Sequence, residues 1–102
     1  MGLDIVLYGE NRKIIKIVEF KQEVHESIFK GNYKYRSYIM LRKLKDYYKT
    51  DVIYFEKDIN ILIDEIEESL IYLKNNSHKE FIKNIIKELS SPSIWKVHVG
   101  SD

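Results

Sequence analysis

The sequence predicts an α+β fold: a small three-stranded sheet, formed by an N-terminal hairpin and a C-terminal strand, packed against about four helices. Both ends of the chain alternate in residue character with the period of two that suits strands, whereas its middle repeats apolar residues at helical spacing. The length of 102 residues fits one domain, 1–102, able to bury most of the apolar surface that the unfolded chain exposes.

Leu3, Ile5 and Leu7 alternate with Asp4, Val6 and Tyr8, which predicts a first strand over 3–8. Gly9-Glu10-Asn11 supplies turn chemistry, because Gly and Asn tolerate positive φ, and the β-branched run from Lys13 to Phe20 returns as the second strand. Val24, Ile28 and Phe29 then recur as on a short helix, stopped by Gly31-Asn32. Tyr38, Leu41, Leu44 and Tyr48 line one stripe of a second helix over about 37–49, with Ser37 as its cap. Ile59, Leu62, Ile63, Ile66, Leu70 and Leu73 mark the buried face of a third helix, with Asp58 placed to cap its start. Ser77-His78-Lys79-Glu80 has the form of a capping box and opens a fourth helix over 78–89, carrying Ile82, Ile85 and Leu89. Ser90-Ser91-Pro92 ends it, and Ile94 to Val99 reads as the last strand. Trp95 is expected to anchor the sheet against the helices, since an indole buries so much surface.

The chain has 44% apolar and 32% charged residues, with four Gly and one Pro, which excludes the disordered and collagen-like classes. It has no Cys, so disulfides, thiolate nucleophiles and Cys-based zinc sites are absent, as suits a reducing cytoplasm. Its apolar runs fall far short of the roughly 20 residues that cross a bilayer, and Asp4 stands where a signal peptide carries basic residues. A cytoplasmic protein with no membrane partner is expected.

Three histidines, at 25, 78 and 98, lack the spacing of a helical metal site, and no nucleotide loop, zinc-protease motif or nucleophile elbow occurs. No cofactor or metal is expected. A small enzyme centred on His25, with Glu26 beside the imidazole as in a general-base pair, is one alternative. His98 is expected on the outer sheet face near Asp4, and His78 simply exposed.

The net charge of +1 conceals a segregation, with seven basic residues and one acid over 30–50, then seven acids and one base over 51–72. In the basic stretch Arg42, Lys43 and Lys45 are interleaved with tyrosines, a combination that contacts phosphates and stacks bases, so a nucleic-acid-binding or phage accessory module is a second alternative. The chain pI near 7.9 and the acidic neighbour weigh against it. In the acidic stretch Asp64, Glu67, Glu68 and Ile71 fall on one side of the third helix, the layout of a docking face for a basic partner. Asp58 and Tyr72 belong to the same candidate face; the plainer account is a solvated helix partly neutralised by the second.

The opening Met1-Gly2-Leu3-Asp4-Ile5-Val6-Leu7-Tyr8 resembles small bacterial and phage proteins that begin in the same way, and the segment Ser37-Tyr38 to Arg42-Lys43-Leu44 before an acidic helix is similar too. In size, missing active-site motifs and acidic helix the chain also resembles, by type, the immunity proteins of contact-dependent or polymorphic toxin systems. That resemblance implies a protein without catalysis that occludes a cognate toxin domain, often a nuclease. Asp64, Glu67 and Glu68 would then mimic nucleic acid, with Ile71 and Tyr72 as anchors.

Overall fold

In the computed structural model, which describes residues 2–30 and 34–101, the elements run β1 (Leu3–Gly9), β2 (Ile14–Phe20), α1 (Gln22–Phe29), β3 (Asp51–Phe55), α2 (Glu56–Ser69), α3 (Asn76–Leu89) and β4 (Ile94–Ser101). The fold is α+β. Its sheet has four strands in the order β2-β1-β4-β3, every neighbour antiparallel, so the first and last strands pair at its centre.

The additional strand, β3, corrects the three-stranded expectation. Val52, Ile53, Tyr54 and Phe55 are β-formers, but five residues at a sheet edge offer too short an alternation to stand out before a long helix. The helix count changes as well. Instead of a helix over 37–49, the chain makes two 3-10 turns, Lys34–Ser37 and Leu41–Leu44, and adds a third, Leu70–Tyr72, after α2. The spacing fits only the second: Leu41 and Leu44 are buried and three apart, the period of a 3-10 helix, whereas Lys34–Ser37 buries no residue and the buried Tyr38 lies in the break between the two turns. Tyr48, which continues the α-helical stripe on paper, is exposed. Ser37 caps no helix; its Oγ donates to the Lys34 carbonyl.

The remaining ends shift for local reasons. Arg12, not Gly9 or Asn11, takes the positive φ of the hairpin turn, while Asn11 Oδ1 accepts from Lys13 N. Asp58 sits within the first turn of α2, which starts directly after β3 with Phe55 at the N-cap position. For α3 the cap is Asn75, whose Oδ1 accepts from Ser77 N and His78 N at 2.8 and 3.3 Å, so no capping box forms. Glu80 pairs instead with Lys83. The Gly31-Asn32 stop after α1 lies outside the described residues.

One sheet face is covered by the helices. Leu3, Ile5 and Leu7 of β1, Val97 and Val99 of β4, Tyr54 of β3 and Phe20 of β2 pack there against Val24, Leu62, Ile66, Ile82 and Leu89. Trp95 does not anchor this core. It is half-buried beside the β1–β4 bulge at the end of the sheet, edge-on to Phe55 at 5.4 Å and under the Arg12 guanidinium at 5.6 Å. The fully buried aromatics are Tyr54 and Phe20. Among the described residues no helix is long and apolar enough to cross a membrane.

Candidate functional site

The helix α2 buries Ile59, Leu62, Ile63 and Ile66, and that leaves Asp64, Glu67 and Glu68 to point outward. All three are exposed. They stand between two exposed apolar side chains, Ile61 on the amino-terminal side and Ile71, 74% exposed, in the turn that follows. Ile61 was legible from spacing, since three residues before Asp64 it falls on the same outward side of the helix. Tyr72 is exposed on the same turn. Asp58 departs from the expected surface: it is half-buried and lies about a third of a turn around the helix from the other acids.

Among the described residues the charges of this face enter no ion pair. The ion pairs among the described residues are Lys16–Glu88, Lys30–Glu26, Lys83–Glu80 and His98–Asp51, none of which holds Asp58, Asp64, Glu67 or Glu68. Glu65, one residue from Asp64, behaves differently. Its carboxylate accepts the backbone N–H groups of Ile39, Met40 and Leu41 at 2.7, 2.8 and 2.8 Å, which satisfies the start of the turn Leu41–Leu44 and ties the basic segment to α2. The two oppositely charged stretches are thus joined here by a carboxylate on backbone amides rather than by an ion pair.

Arg42, Lys43 and Lys45 are exposed around that turn, and Arg42 Nη1 reaches the Arg36 carbonyl at 3.5 Å. Lys45 lies on the rim of an open cleft of about 500 Å³ whose walls include Phe29, Tyr35, Tyr47 and Tyr48 and whose floor is His25. The basic side chains do not converge on it: Arg42 and Lys43 are absent from its lining, and Glu26 and Asp46 share the rim with Lys30 and Lys45.

His25 is buried. Its Nε2–H donates to the Leu44 carbonyl at 2.6 Å, and its ring packs on Phe20, Phe29 and Tyr47. Burial lowers its pKa below 6.5, with the Leu44 hydrogen bond opposing that shift. Such an imidazole fastens α1 to the 41–44 turn. His78 is half-buried rather than exposed, with Nδ1 2.6 Å from Ser27 Oγ, so it bridges α1 and α3. His98 is on the outer sheet face as expected, but its partner is Asp51 on β3 at 2.6 Å, with Asp4 one pair further along β1. Among the described residues no group of three or more His, Cys, Asp or Glu side chains could hold a metal ion. Comparisons with protein-family models, with curated proteins and with solved structures find no match for this chain.

Proposed function

We propose that this protein acts by binding rather than by catalysis, as an immunity protein whose α2 face covers the basic active site of a cognate toxin domain, a nuclease by the chemistry of the mimicry. One observation carries the reading: Asp64, Glu67 and Glu68 stand outward in a row without ion-pair partners among the described residues, flanked by exposed Ile61 and Ile71. Carboxylates spaced along a helix speed encounter with a basic surface, and apolar neighbours supply the affinity that screened charges do not. The placement of His25, with one ring nitrogen engaged and the ring stacked among aromatics, favours a structural role for the residue on which an enzyme would be centred.

The test is protection. Cells expressing a cognate basic toxin domain should survive with the wild-type chain, and Glu67→Lys/Glu68→Lys should lose protection while keeping its thermal melt. Undiminished protection by the double variant would sink the reading. A second reading, binding of nucleic acid through Arg42, Lys43 and Lys45, draws on the exposure of all three and predicts oligonucleotide affinity that falls steeply with salt.

A further inference from the structure

The face of the sheet turned away from the helices has an order that the register makes explicit. Opposed residues form three rows across all four strands: Glu19–Asp4–Gly100–Asp51, then Ile17–Val6–His98–Ile53, then Ile14–Tyr8–Lys96–Phe55. The first is acidic. The third carries Lys96, whose Nζ sits 4.3 Å from the centre of the Tyr8 ring, and it adjoins the turn that holds Arg12 and Lys13 against the single acid Glu10. The middle row is largely apolar yet open to solvent, with Ile17 at 56% and Ile53 at 49% exposure. An antiparallel sheet solvated on one face ordinarily turns polar residues outward, so exposed Ile14, Ile17, Ile53 and Phe55 on the two edge strands, with half-buried Val6 between them, mark a surface that is covered in use.

We propose that a second copy of this chain covers it, face to face, about a two-fold axis that runs along the middle row. Rotation about that line keeps each strand over its own counterpart and exchanges the two outer rows, so Lys96 of each copy meets the acidic row of the other. Lys96 then arrives above Gly100, flanked by Asp4 and Asp51, with the His98 ring lying beside the glycine on its way to Asp51. Ile53, Val6 and Ile17 meet their own counterparts. Such self-complementarity is the requirement of an isologous dimer, and it is supplied here by apolar contact along the middle row and by Lys96 against the acidic row. A nucleic acid fits the face less well, because Glu19, Asp4 and Asp51 would lie under its phosphates.

Light scattering on the eluting protein, across a concentration series, reads the outcome. The wild-type chain is expected at twice its 12.3 kDa mass, and Ile53→Asp, which places like charges on the axis, at the single-chain mass. Lys96→Glu should raise the dimer dissociation constant by roughly tenfold or more, and Lys96→Glu/Asp51→Lys should restore it, since the swapped charges face one another again. Far-UV circular dichroism of each variant separates dissociation from unfolding. Glu67→Lys/Glu68→Lys should remain dimeric, which keeps this result independent of toxin binding. A wild-type chain monomeric at every concentration, a dimer indifferent to Ile53→Asp, a charge swap without recovery, or a single-stranded oligonucleotide bound through Tyr8 and Phe55 would each overturn the proposal.

Discussion

Two buried tyrosines meet opposite fates. Tyr54 is wholly enclosed, but its hydroxyl donates to the Met40 carbonyl at 2.9 Å; that of Tyr38 has no hydrogen-bond partner among the described residues. Desolvation, with Glu68, Tyr72 and Glu65 adding to it, pushes the Tyr38 phenol up to about 12. The net worth of a made hydrogen bond is about 1 kcal/mol, and an unmade buried one carries a penalty of about 1–3 kcal/mol. Tyr54→Phe should therefore lower unfolding free energy by about 1–2 kcal/mol, whereas Tyr38→Phe should leave it unchanged or raise it by up to about 1 kcal/mol, as read in urea melts. His25 supplies the pH dependence. Its folded pKa lies below 6.5, so below that value the unfolded chain takes up the proton more readily than the native one. The stability it contributes is complete above 6.5 and is lost as pH falls from there through the folded pKa, at no more than about 1.4 kcal/mol per pH unit. Melts between pH 7.5 and 5 should show that slope, and His25→Gln should flatten it.

At the level of elements, Glu65 does what its neighbours do not. Sequence spacing placed it in a run of four similar acids, and nothing in the run distinguishes it. The distinction comes from across the fold, where the turn Leu41–Leu44 begins with amides that lack carbonyl partners. Glu65→Ala should cost about 2–3 kcal/mol, by analogy with charged hydrogen bonds and helix caps, while Glu67→Ala and Glu68→Ala should each stay within about 0.5 kcal/mol. Chemical denaturation of the three variants side by side checks it. In the same region Leu41 and Leu44, buried and three apart, satisfy an α-helical stripe and a 3-10 turn alike, until Tyr48 has to choose. Helices α2 and α3, with apolar faces sustained over 14 residues each, leave no such ambiguity.

Across the whole molecule the two candidate surfaces lie on opposite sides. The carboxylates of α2 face outward from the helical layer, and the open sheet face looks the other way, so a dimer would present two acidic faces outward. Pairing of β1 with β4 makes this arrangement depend on the two ends of the chain meeting, a contact of long sequence separation. Trp95 sits aside because the bulge next to it ends the regular ladder, and a fully buried aromatic position goes instead to Tyr54 on the short edge strand β3. The exposed acids, by contrast, were readable, because a helix whose apolar stripe is fully occupied must turn its remaining residues to water.

Periodicity alone determined the strands at both ends, the two long helices with their buried stripes, and the outward direction of Asp64, Glu67 and Glu68. These follow from backbone geometry within a few residues, which every chain carries locally. Tertiary structure alone decided that Glu65 caps a distant turn, that His25 is buried on Leu44, that Asp51–Phe55 closes the sheet, and that three rows of opposed residues order its outer face. Each of these depends on strand register or on unsatisfied backbone groups tens of residues away, and no local pattern encodes which partner the folded chain will bring.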